Sequence, residues 1–153
     1  MSVQNMLIDA ARGYLGVRFA HQGRSKQTGV DCLGLLICAA QDAGITLQDY
    51  EPNHYDRTDY GTFPDAQMLR AQLHAALIAV EEVAVGDILL LRIDGRPQHL
   101  ALVTDYPQEG VFGMIHAYAP LRKVVEHRLD IHWIEAIEQV FRIPSGLADR
   151  QTT

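Results

Sequence analysis

Asp31-Cys32-Leu33-Gly34-Leu35-Leu36-Ile37-Cys38-Ala39-Ala40-Gln41-Asp42-Ala43-Gly44 is apolar on almost every side when wound into a helix. Such a segment belongs in the middle of a core. Asp31 is a side-chain cap for its start and Gly44 a stop at its end. Upstream, Val3, Leu7, Ala10 and Tyr14 recur at three and four residues and predict a helix over 3–15, ending near Gly16. Residues 16–31 are rich in Gly, Arg, Gln, Ser and Thr and read as a loop. Downstream, 48–64 is polar and irregular, a length of loop that is usually functional. Asp65 to Leu77 predicts a third helix with Leu69 and Leu73 on one side. From Gly86 the texture changes to strands over 87–93, 99–104, 111–118, 123–128 and 136–143. Helices followed by strands predict an α+β fold, with N-terminal helices packed on a small antiparallel sheet. One domain over 1–144 and a flexible tail over 145–153 account for the whole chain.

The 153 residues suit one core, and 48% apolar with 21% charged residues excludes a disordered or fibrous chain. The net charge of −6 argues against nucleic-acid binding, which needs clustered Lys and Arg. No apolar run approaches the ~18 residues of a bilayer span, so no membrane insertion is expected. The N-terminus shows no basic then apolar pattern of a secretory signal, which predicts synthesis in the cytoplasm. Cys32 and Cys38 on one helix stand about 9 Å apart along its axis, too far for a disulfide.

Cys32 stands at the predicted start of the central helix, where unpaired N–H groups favour a thiolate and present donors to an oxyanion. His99 opens a buried strand. His116 lies inside Met114-Ile115-His116-Ala117-Tyr118. Pairing of the two strands about a turn between Pro107 and Gln108 places His99 directly opposite His116 on one face. A thiol, a histidine and a second ring that orients it form the machinery of a cysteine hydrolase or acyltransferase. His21 lies in a loop that must return to the helix start, and is a further candidate. His54, His74, His127 and His132 read as loop or solvent-facing residues. No CxxC or HxxxH spacing occurs, so no metal site is expected.

Asp31-Cys32-Leu33-Gly34-Leu35, Gly86-Asp87-Ile88, His99-Leu100-Ala101-Leu102-Val103 and Ile115-His116-Ala117 resemble, in order, the successive motifs of NlpC/P60 cysteine peptidases. Gly16-Val17-Arg18-Phe19-Ala20-His21-Gln22-Gly23-Arg24 resembles the phage cell-wall peptidase subgroup, found among tail-assembly and gene-transfer-agent proteins. The resemblance covers roughly residues 3–144. It implies a papain-like fold, with Cys32 as nucleophile, His99 as general base and His116 as its orienter. The implied reaction is hydrolysis of a peptidoglycan stem-peptide amide, typically between γ-D-glutamate and a diamino acid, with no metal or organic cofactor. Phe19 occupies the position of a family tyrosine whose hydroxyl serves the oxyanion. The candidate oxyanion and substrate-binding residues are therefore Phe19, His21, Gln22 and Asp31. The implied partners are the stem peptide and other phage-like tail proteins, and the implied location is a virion or phage-like tail at the bacterial wall. Two other uses of the same fold are a structural tail-tip component with weakened or no activity, and an acyltransferase.

Overall fold

Leu89, Leu90 and Leu91 are consecutive and all fully buried, so the strand that carries them has protein on both of its faces. It is β4 (Ile88–Ile93) of a six-stranded antiparallel sheet among the described residues. The computed structural model describes residues 2–45 and 66–144. The predicted loop over 48–64 with His54, residue 65 and the predicted tail over 145–153 lie outside the described residues.

Three helices cover one face. α1 (Val3–Arg12) is capped by Ser2, whose hydroxyl accepts from the Asn5 amide, and buries Val3, Leu7, Ile8 and Ala11. The four residues recur at helical spacing, which is why the segment winds and which side it hides. It stops at Gly13, three residues before the predicted Gly16. The stretch β1 (Arg24–Ser25) and β2 (Gly29–Val30) forms a small hairpin inside the predicted loop. α2 (Cys32–Asp42) follows at once, capped by the Asp31 carboxylate on the Gly34 amide at 2.8 Å. Gly44 closes it with φ +72°. Tyr14 donates to Asp42 at 2.6 Å and ties α1 to α2. α3 (Ala66–Ala76) buries Leu69 and Leu73, the side that the periodicity predicts.

The sheet continues with β3 (Ile78–Val80), β5 (Arg96–Thr104), β6 (Gly113–Tyr118), β7 (Lys123–Arg128) and β8 (Ile137–Arg142), in the order β3-β8-β4-β5-β6-β7. Each of the five predicted strands is present. The hairpin β1–β2, the short β3 and helix α4 (Ile131–Glu135) are additions that carry too few residues for a periodic signal. α2 packs on β5 and β6 through Leu35 and Leu36 against Leu100, Leu102 and Ile115. On the opposite face Leu89, Leu91, Ala101, Val103 and Met114 pack with Trp133 of α4.

The register differs from the expected one. Leu102 pairs with Ile115, Val103 with Met114 and Thr104 with Gly113, which centres the hairpin one residue later, between Gln108 and Glu109. The shift moves His116 two places along β5, an even number, so it stays on the face of His99 but lies diagonally across from it. A bulge does occur beside His99, where Gln98 is the extra residue between Leu91↔His99 and Arg92↔Pro97. It lies on the β4 side and leaves the β5–β6 pairing intact.

Candidate active site

The β5–β6 ladder closes at Leu102↔Ile115, and the site occupies the opening beyond it. Val103 donates its amide to Asp87 on the β4 side. By alternation, the amides of Leu100 and Leu102 point toward β6. At Leu100 no ladder partner remains on that side, and its amide faces the sulfur of Cys32. The start of α2 thus meets the sheet where β5 and β6 separate, one residue from His99.

Across the same opening His99 Nε2 lies 2.7 Å from His116 Nδ1, with the rings edge to face at 5.0 Å between centroids. His116 is fully buried and His99 is 8% exposed. His116 stacks on Tyr118, and Trp133 meets it edge-on at 5.2 Å between centroids. Among the described residues no hydrogen bond joins Cys32 Sγ to the His99 ring; the sulfur meets the backbone amide of Leu100, the next residue along the strand. Cys32 therefore lies against the backbone next to His99, and the His99 and His116 rings are in direct contact.

The electrostatics correct one expectation. The helix start was expected to favour the Cys32 thiolate, yet its thiol is pushed up to about 12. Burial is the largest cause and the neighbouring Asp31 charge adds to it; the amides of Leu100 and Leu33 and the Arg24 charge oppose them. Burial also lowers His99 to about 4, and burial together with His99 and His127 lowers His116 to about 2. Near neutral pH the site holds an uncharged thiol and uncharged imidazoles.

The loop before α2 does return to the helix start. Asp31 Oδ2 accepts the Gln22 amide at 3.0 Å, and Oδ1 accepts from Arg24 Nη1 at 2.9 Å as well as from Gly34. Asp31 is 5% exposed and joins hairpin, loop and helix into one unit. Gly34 is required there, because a Cβ would collide with the Gly23 carbonyl. Gln22 sits at φ +59°, and its backbone N–H is engaged by Asp31. His21, one residue earlier, is exposed. Phe19 is half-buried against the helix-side core, and its amide donates to Arg122 O at 2.8 Å. Cys38 is a buried free thiol that donates to the Arg24 carbonyl at 3.1 Å.

His127 is the residue that the sequence reading missed. It was expected to face solvent, but its Nε2 lies 2.9 Å from His116 Nε2 and its Nδ1 lies 2.9 Å from the Arg128 carbonyl. The signal was present in the turn around Pro120: β6 and β7 pair as Tyr118↔Lys123 and Met114↔His127, which puts His127 on the face of His116. The three rings join in series. Among the described residues no group of three or more His, Cys, Asp or Glu is arranged to hold a metal ion.

The architecture is shared with solved proteins. An NLP/P60 family protein from Staphylococcus aureus, described as similar to a lipoprotein, matches with a TM-score of 0.61 and 21% identity over 92% of this chain and 41% of its own. The peptidoglycan hydrolase RipB from Mycobacterium tuberculosis matches with a TM-score of 0.60 and 20% identity, covering 93% of this chain and 65% of its own. The NlpC/p60 domain of the peptidoglycan hydrolase SagA matches with a TM-score of 0.56 and 19% identity, over 92% of this chain and 98% of that domain. The chain thus spans less than two thirds of the first two proteins and nearly all of the third. At these identities the likeness is one of fold. A search of curated proteins found no match. The model of the NlpC/P60 family matches residues 16–137, a span that runs from the loop before Cys32 through α2, both histidine strands and His127, and by that match the chain belongs to the NlpC/P60 family.

Proposed function

We propose that the chain is a cysteine endopeptidase that hydrolyses a stem-peptide amide of peptidoglycan, between γ-D-glutamate and a diamino acid. The observation that carries this reading is the His99–His116 hydrogen bond, one residue along the strand from the Leu100 amide that the Cys32 sulfur meets. Family membership adds to it, as do the two relatives whose names describe peptidoglycan hydrolases. Cys32 is the nucleophile, His99 the base and His116 its orienter. The neutral resting state implies that the proton moves as the sulfur attacks. Sγ bonds to the amide carbon while its proton passes to His99. The Cys32 amide, at the first position of α2 and without an intrahelical acceptor, faces the oxyanion. The C–N bond then breaks, His99 returns the proton to the leaving amine, and water resolves the thioester with His99 again as base.

The place of action we assign is the bacterial wall, reached as part of a phage-like tail with other tail proteins. The support is the likeness of residues 16–24 to the phage subgroup. A second reading, a tail-tip component with weakened or no peptidase activity, is favoured by the phenyl ring at position 19 and the buried, uncharged Cys32 thiol. Digestion of purified peptidoglycan separates the two. Release of stem-peptide fragments that Cys32→Ala abolishes supports the peptidase; intact peptidoglycan with the folded natural chain supports the tail-tip component.

A further inference from the structure

A hydrogen bond between two imidazoles has no fixed direction, since either ring can donate. The direction in this site is set from outside the pair. The Arg128 carbonyl only accepts, so His127 Nδ1, 2.9 Å away, carries the ring proton. In its neutral form His127 then presents a bare Nε2 to His116 Nε2 at 2.9 Å. His116 Nε2 must donate, which leaves His116 Nδ1 bare. His99 Nε2, 2.7 Å from that nitrogen, must donate in turn. His99 Nδ1 is left bare, and among the described residues no hydrogen-bond partner faces it. One backbone carbonyl thus sets the tautomers of three rings in series. The chain is held by packing: Trp133 lies 6.2 Å from His99, 5.2 Å from His116 and 6.0 Å from His127, centroid to centroid.

We propose that His127 is a positioning residue, which relays the direction of the Arg128 carbonyl through His116 and keeps His99 Nδ1 free of its proton. The inference rests on the reading of His99 as the base, because only then does a bare Nδ1 matter to turnover. A base protonated at the nitrogen that should accept is inactive until it exchanges tautomers.

Long-range proton–nitrogen correlation on the full chain at pH 8 reads each ring directly and needs no substrate. The natural chain should show Nδ1–H at His127, and Nε2–H at both His116 and His99. His127→Phe keeps a ring against Trp133 but removes the acceptor, and should give mixed tautomers at His99. His127→Glu places an acceptor-only group near His116 Nε2, and should restore a single Nε2–H form. With peptidoglycan fragments, His127→Phe should lower kcat by about three- to tenfold with KM unchanged, and His127→Glu should recover most of the loss. An Nδ1–H form of His99 in the natural chain would overturn the proposal. So would a His99 tautomer that His127→Phe leaves unchanged, or an unchanged kcat in that variant. Failure of the underlying peptidase reading is seen separately, as hydrolysis that Cys32→Ala does not reduce. If His127→Phe does not fold, the natural chain and His127→Glu still give the tautomers.

Discussion

Phe19 places a phenyl ring where the family resemblance implies a hydroxyl donor; either another residue of the loop supplies the second oxyanion donor or the site works with one donor fewer, and we propose the former. The Gln22 amide is engaged by Asp31, and the candidates in the same loop are the side chains of His21 and Gln22. We propose the exposed His21 ring for the role, one residue before the Gln22 amide that Asp31 accepts. Phe19→Tyr is then expected to leave turnover unchanged. His21→Ala should lower kcat by at least about tenfold at unchanged Tm, within the usual cost of a lost oxyanion donor. A hundredfold gain in Phe19→Tyr with no effect of His21→Ala would instead mark a site short of one donor. The pH profile tests the base. With His99 lowered to about 4 by burial, the acid limb of kcat/KM should fall near pH 4 rather than near the ordinary histidine value of 6.5. His99→Ala should abolish turnover nearly as fully as Cys32→Ala, and His116→Asn should be milder, because its amide oxygen still accepts from His99. At this scale the placement of Cys32 at a helix start and the contact of His99 with His116 were legible, because a capped helix start and strand parity are local properties of the sequence. The thiol's protonation was not, because burial, the largest cause of its upward shift, comes only from the packed fold.

Among elements, the separation of β5 from β6 makes the site, and the histidines that line it also tie stability to pH. Unfolded histidines titrate near 6.5, whereas folded His99 and His116 hold no proton until about 4 and about 2. Below pH 6.5 the unfolded chain therefore binds more protons, and stability is lost as pH falls through the folded values. The loss is roughly 1.4 kcal/mol per pH unit for each ring. Thermal denaturation should show Tm dropping between pH 6.5 and 4, and a His116→Asn variant should show a shallower drop. A slope unchanged in that variant would contradict the assignment. At the other end of the site Gly34→Ala pushes a methyl group into the Gly23 carbonyl and should cost about 1–3 kcal/mol in denaturant unfolding. The three longer helices and the five longer strands were legible from period and caps. The β5–β6 register was displaced because the turn between the strands contains no residue pair that dictates its centre. His127 was overlooked because its partner ring is reached only through the second hairpin, whose turn at Pro120 was not used to set a register.

For the molecule as a whole, the two faces of the sheet have different tasks. The helix side carries Cys32, and the side closed by α4 and Trp133 holds the rings of His99, His116 and His127. The rear of the sheet is fixed by Asp87, 1% exposed at its side chain, which accepts two hydrogen bonds at 2.9 Å from Arg142 of β8 and one from the Ala84 amide. Arg142→Met leaves that carboxylate without its counter-charge and should destabilise the fold by about 3 kcal/mol in denaturant titration, while leaving the site chemistry intact. The central claim is that this assembly cuts peptidoglycan through Cys32. Its most direct test is mass spectrometry of the soluble products after purified peptidoglycan is incubated with the natural chain and with Cys32→Ala. The account predicts stem-peptide fragments with a new amino terminus on the diamino acid, present with the natural chain and absent with a folded Cys32→Ala. No fragments with the folded natural chain on peptidoglycans of several wall types, or equal fragments with both proteins, would contradict it.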